Sequence, residues 1–363
     1  MARPVQPPAR LLSLDALRGF DMFWITGGDA LGIAVAKWLG WAWLLHHMEH
    51  LPWEGFVFYD LIFPLFIFIV GIVLPMSLRR FTSDPSQAYG RVFRRVALLL
   101  LLGWINWGLL QFDVGAMRWP GVLQRIGICY LFAALAVLHL RVRAQALLAA
   151  SLLIGYWALL SFVAAPGYRA GDLSMEGNLV GYVDRAVLPG TFCCYPNGDN
   201  EGLLSTVPAI ATALLGALTG AWLMRPITPM AKLRGLLLAG VASLAIGFAW
   251  WPLFPVIKNL WTSSYVMVAA GWSLLLVALF YYVIDILGMR RWAFPFVVIG
   301  LNAITIYVAQ HVIDFPKIAT FFLGGVAMLV GPGAGPVVIA AGAIVASWLF
   351  LYYLYKSGTF VRV

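Results

Sequence analysis

The stretch "FVFYDLIFPLFIFIVGIVLPMSL", residues 56–78, carries a single charged side chain, Asp60. Apolar runs of about 20 residues match the hydrocarbon thickness of a bilayer. No water is present there to satisfy backbone amides, so such a run must bond internally as a helix. Comparable runs recur at about 14–37, 92–111, 121–140, 144–165, 202–224, 234–252, 264–287, 292–313 and 335–355. The pattern predicts an all-α polytopic membrane protein, a bundle of ten transmembrane helices. The segment "IATFFLGGVAMLV", 318–330, has 13 residues and reads as re-entrant or interfacial; counting it as a span gives eleven. Charged residues are 11% of the chain, against about 25% in an ordinary soluble domain. The whole of 1–363 reads as one transmembrane domain with one long outer loop, at about 166–201.

Basic residues set the expected orientation. In the ten-span reading, sixteen of the 24 Lys and Arg fall in loops on one side, six on the other, and Arg18 and Arg125 lie within spans. By the positive-inside rule both termini are expected in the cytoplasm. The net charge of +9 alternates along the chain with the helices, so no nucleic-acid partner is expected. "MARPVQPPARLL" has no cleavable-signal pattern, and the first apolar segment is expected to be a retained helix. Cys129, Cys193 and Cys194 do not make a disulfide framework; the adjacent pair reads as two thiols.

Charge inside a span is costly and marks packing locks or sites. Asp15, Arg18, Asp21 and Asp29 fall on one stripe of about 120° if the first span is a regular helix. Asp15 and Arg18 can pair at i,i+3. Asp60 at the head of the second span reads either as a helix-start carboxylate or as the orienter of a histidine. Polar residues also enter the spans at Gln124, Arg125 and Asn302, and Lys258 and Asn259 stand before the eighth. Three of the five histidines crowd into His46, His47 and His50. There is no HExxH motif, and Pro52 limits the helix, so no metal is expected. Neither GxxxxGK[ST] nor GxGxxG occurs, which leaves no case for an ATPase or a dinucleotide enzyme.

The ordered segments "LDALRGFDMFWI", "HLPWEGFVFYDLIFPLFIFIVG", "RWPGVLQRIGICY", "NEGLLSTVPAIATALLGALTG", "KNLWTSSYVM" and "GLNAITIYV" resemble those of the heparan-alpha-glucosaminide N-acetyltransferase family, which includes bacterial NagX-like proteins. The resemblance runs from about residue 12 to 356. It implies a transmembrane acetyltransferase in the bacterial inner membrane, moving acetyl from cytosolic acetyl-CoA to an amino sugar or glycan acceptor on the periplasmic side. The family histidine stands three residues before the tryptophan of an HxxWxG motif, which here is His50 before Trp53 and Gly55. Asp60 or Asp29 is expected to orient it, and Asn302 to donate to an oxyanion. For the anionic donor the candidates are Arg18, Gln124, Arg125, Arg79, Arg80, Arg94 and Arg95. Trp53, Glu54, Lys258 and Asn259 are candidates for the acceptor. The chain is expected to lack the lysosomal enzyme's extra lumenal domain and additional N-terminal span. Expected partners are the lipid bilayer and the acceptor, with a homodimer left open. The alternative is a transporter of a sugar such as N-acetylglucosamine, since intramembrane charge also suits a proton-coupled carrier.

Overall fold

The computed structural model describes residues 11–359 except 82, 83, 114 and 196 and the side chain of Arg80. Arg3, Arg10 and Arg362, which entered the charge count, lie outside the described residues. The described chain is almost wholly helical. In order come α1 (Leu12–Phe23), α2 (Asp29–Leu39), α3 (Ala42–Met48), α4 (Ile62–Leu78), α5 (Ser86–Asn106), α6 (Val122–His139), α7 (Val142–Phe162) and α8 (Leu179–Val187). A two-stranded hairpin, β1 (Cys194–Tyr195) and β2 (Gly198–Asp199), follows. Then come α9 (Thr206–Leu223), α10 (Pro229–Trp250), α11 (Ser263–Phe280), α12 (Phe294–Leu301), α13 (Ala303–Ala309), α14 (Phe315–Leu329) and α15 (Gly331–Lys356).

Among the described residues seven helices are long and apolar enough to cross a membrane: Phe58–Leu78, α6, α7, α9, α10, Ser263–Ile286 and α15. The ten-span expectation differs from this at three places, each for a local reason. The first span is interrupted by a π-helical turn, Trp24–Gly28, in which Gly27 takes φ +126. This break shifts Asp29 out of phase with Asp15, Arg18 and Asp21. The third expected span is α5, whose first half carries Arg91, Arg94 and Arg95. The ninth breaks at Asn302, whose φ/ψ of −125/35 separates α12 from α13. Residues 318–329 lie in α14, a 15-residue apolar helix that Val330 caps.

Helix α4 lies at the centre. Leu65, Ile67, Phe68 and Ile69 are wholly buried, and α4 packs along α9 with both starting at the same end. Gly71, Gly216 and Gly220 line that seam. A Cβ on Gly71 would lie 2.0 Å from the Ala213 carbonyl oxygen. Small residues thus let two backbones close on each other, the usual device where lipid offers no hydrophobic drive to association.

One correction concerns the cysteines. Cys193 and Cys194 are joined as a disulfide rather than standing as two thiols. The chain turns sharply there, with Cys194 at φ +83, and both side chains fall on the same side of the turn.

Candidate active site

The chain between α3 and α4 reverses to bring His50 over Asp60. Gly55 takes φ +126 and a Cβ there would meet Leu51 at 2.4 Å, which is the backbone reason for glycine in the HxxWxG motif. Its N–H donates to the Val256 carbonyl at 2.8 Å, and Glu54 pairs with Ile257 in an antiparallel bridge. The Glu54 carboxylate accepts from the Trp251 indole at 2.7 Å. The motif is thereby fastened to the turn joining α10 to α11.

That turn presents Lys258. The Trp261 N–H donates to the Lys258 carbonyl at 2.9 Å. Thr262 caps α11 by accepting from the Tyr265 N–H, and it also accepts from the Ile257 N–H.

At the centre, His50 Nδ1 lies 2.8 Å from Asp60 Oδ1. The other Asp60 oxygen accepts from the Val57 N–H at 3.3 Å. The Tyr265 hydroxyl donates to the Asp60 carbonyl at 2.7 Å. Lys258 Nζ stands 2.8 Å from His50 Nδ1, 3.0 Å from His50 Nε2 and 3.3 Å from Asp60 Oδ1. The Asp60 side chain is 1% exposed, whereas His50 is 49% exposed. The carboxyl group is therefore fixed in the interior, and the imidazole edge reaches solvent. Donation from Nδ1 to Asp60 leaves Nε2 as the acceptor. Burial pushes the Lys258 ammonium below its usual value, opposed by Asp60 and Glu201.

Of the groups that flank this centre, Tyr59 and Tyr265 were not singled out in the sequence. The Tyr59 ring lies 4.6 Å from the His50 ring, and its hydroxyl donates to Asp29 at 2.9 Å. His47 Nδ1 accepts from the Phe58 N–H at 3.4 Å. The Trp53 indole donates to the Leu173 carbonyl at 2.8 Å and the ring packs on Tyr195, tying the motif to the outer loop. The available signals were the adjacency of Tyr59 to Asp60 and the place of Tyr265 in the first turn of α11, seven residues after Lys258.

A second polar cluster sits where that loop enters α9. Arg118 binds Asp199 through Nε at 2.7 Å and also pairs with Glu201. Its guanidinium covers the Trp107 ring at 4.7 Å. Asp184 accepts from the Asp199 and Leu203 N–H groups, and burial raises its carboxyl to about 6.

The expected donor residues divide. Arg79, Arg94 and Arg95 lie at the end of the α4–α5 pair remote from His50, with Arg79 and Arg94 exposed and Arg95 over the Tyr130 ring at 4.5 Å. Gln124 and Arg125 are instead at the opposite end, in the first turn of α6. Arg125 donates to the Gly202 carbonyl at 3.2 Å and to Ser205, and lies over Trp261 at 4.9 Å. Helix direction separates the two groups: α4 carries the chain away from His50, α5 returns it, and α6 starts afresh beside the site. Arg18 pairs with Asp15 at 3.9 Å and donates to the Gly300 carbonyl at 3.4 Å. Asn302, expected to donate to an oxyanion, stands at the break between α12 and α13 and donates to the Thr359 carbonyl at 3.4 Å. Asn259 is buried beside Lys258. Among the described residues no group of three or more His, Cys, Asp or Glu is arranged to hold a metal ion.

Fold and site together define a multi-pass helical membrane protein with a histidine–aspartate–lysine centre at one end of its bundle. No protein-family model matches the chain. It is 27% identical over 373 residues to human (Homo sapiens) heparan-alpha-glucosaminide N-acetyltransferase, and 27% over 374 residues to the mouse (Mus musculus) protein of that name. Each alignment takes in 85% of this chain, against 53% of the human and 55% of the mouse protein. The chain therefore spans about half the length of the curated relatives it matches. Both alignments support membership of the heparan-alpha-glucosaminide N-acetyltransferase family.

Proposed function

We propose that this protein is an integral-membrane acetyltransferase that moves acetyl from acetyl-CoA to the amine of an amino sugar or glycan. His50 serves as base and Asp60 as its orienter. The observation that carries the reading is the 2.8 Å His50–Asp60 contact at the family motif. A buried carboxylate on Nδ1 and an exposed Nε2 are what a general base needs. Attack of the amine on the thioester carbonyl forms the C–N bond and breaks the C–S bond. His50 Nε2 takes a proton from nitrogen as this happens.

The residues present suit the donor. Arg79, Arg94 and Arg95 would hold phosphate groups by charge-assisted contacts. Trp53, Glu54 and the outer loop would receive the acceptor. The bacterial inner membrane, with the basic face and both termini in the cytoplasm, is the location that fits this chemistry.

One observation favours the transporter reading. Asp21 is wholly buried and, among the described residues, neither carboxyl oxygen has a hydrogen-bond partner, as a proton-carrying intramembrane acid would be. The test uses proteoliposomes with labelled acetyl-CoA outside and glucosamine trapped inside. Acetylated product inside supports transfer. Entry of unmodified sugar without acetyl-CoA supports transport and overturns the enzymatic reading.

A further inference from the structure

Lys258 Nζ lies within 3.0 Å of both His50 ring nitrogens. No atom in the ring plane can stand that close to both without colliding with the ring carbon between them. The ammonium therefore sits over a face of the imidazole. Tyr59 packs against the same ring at 4.6 Å, and the two groups cannot share a face. Nε2 thus keeps its in-plane lone pair free towards solvent while Lys258 remains beside it. The charged and titratable groups facing Lys258 are His50 and Asp60 from the segment entering α4, and Glu201 from the end of the outer loop. Arg125 lies beyond, over Trp261.

An amine acceptor creates a requirement that one base does not meet. A sugar amine near neutral pH is largely an ammonium ion, without a lone pair to attack with. It must lose one proton before attack and a second as the C–N bond forms. We propose that Lys258 is the second base of this site, taking the proton that a protonated amine acceptor sheds before attack, while His50 takes the one released as the amide forms. The inference rests on the acetyltransferase reading. An ammonium and an imidazolium at this separation repel, and Asp60 balances one cation at a time, so the steps are sequential. Lys258 takes the first proton from the acceptor. The amine nitrogen bonds to the acetyl carbon, the C–S bond breaks, and the sulfur electron pair receives the Lys258 proton. His50 Nε2 takes the second nitrogen proton and releases it to solvent. The sum is R–NH3+ plus acetyl thioester giving amide, thiol and one free proton. Burial supports the role, since a desolvated lysine gives up its proton more readily than one in water.

The test compares Lys258→Met and Lys258→Arg with wild type, using glucosamine from about pH 6 to about pH 9, the range in which such an amine deprotonates. Both variants should lose at least about 10-fold at the acid end, the lower part of a general-base contribution. The deficit should shrink as the pH rises and the acceptor arrives as free amine. Arginine keeps the charge but cannot give up a proton. Wild-type rates in Lys258→Arg, or a deficit independent of pH, would overturn the proposal in favour of a fixed charge or a packing role. A second readout needs no turnover: acylation of Lys258 by a small amine-reactive anhydride near pH 7, followed by peptide mass spectrometry. Faster modification of Lys258 than of the exposed Lys317 is expected, and slower modification would count against a neutral amine. If wild type transfers no acetyl group, the enzymatic reading fails, and the labelling result still reports on Lys258.

Discussion

The Tyr59 hydroxyl donates to Asp29 at 2.9 Å, joining the helix-breaking segment of the first span to the ring that packs against His50. Tyr59→Phe removes the bond and keeps the ring. A hydrogen bond to a charged group contributes about 1.5–3 kcal/mol, so the variant should unfold at lower denaturant with its His50 geometry retained. Equilibrium unfolding in detergent measures the first effect. An unchanged acceptor KM checks the second.

His50→Ala should fold, because the side chain is half exposed, and should lose acetyl transfer by about 100-fold or more. Asp60→Asn should do more harm to stability, since the buried carboxylate holds His50, the Val57 N–H and Lys258 together. Leaving such buried partners unsatisfied costs about 1–3 kcal/mol. Initial rates with labelled donor, read beside thermal melts, separate the two. Full activity in His50→Ala would remove the base from its assigned place.

The Arg118 cluster anchors the outer loop through Asp199 and Glu201. Arg118→Met leaves two buried carboxylates facing each other and should cost about 3 kcal/mol or more. Limited proteolysis is expected to cut within residues 166–201 far sooner than in wild type. Identical cleavage kinetics would show that the loop is held by other contacts.

Asp184 gives the loop a pH dependence of defined sign. Burial raises its carboxyl from 3.8 to about 6, so the folded loop holds a proton across an interval in which the unfolded chain has lost it. That contribution is complete below the ordinary value and is lost as the pH rises through about 6. Melting temperatures of wild type should therefore fall relative to Asp184→Asn between about pH 4 and about pH 7. Parallel curves would refute the assignment.

Gly71→Val should prevent assembly of the α4–α9 pair. The new Cβ would meet the Ala213 carbonyl, which belongs to helix backbone and cannot turn aside. Loss of the monodisperse peak on size exclusion is expected, whereas Gly155→Ala, where nothing lies within 4 Å, should be silent.

Much of this protein was legible in one dimension. The long apolar runs fix helices because bilayer hydrocarbon leaves backbone amides no other partner, and the run at 56–78 and its descent from His50 could be read directly. So could the pairing of Asp15 with Arg18, which needs only the helical repeat. The resemblance to a family HxxWxG motif singled out His50 as the candidate histidine. What the sequence did not carry were relations between segments far apart in the chain. The glycine at 27 did not reveal that its helix would break and release Asp29 to Tyr59. Arg125 read as a donor-side cation until the direction of α6 put its guanidinium against Trp261 and Gly202. Arg118 looked like one charge in a loop until the fold set it against carboxylates more than eighty residues away. Lys258 is 208 residues from His50, and only the α10–α11 turn, bridged to residues 54 and 55, brings its ammonium over the imidazole. Local periodicity is written in neighbouring residues. The meeting of His50, Asp60 and Lys258 depends on how packed helices close on one another, and that was decided by the tertiary structure alone.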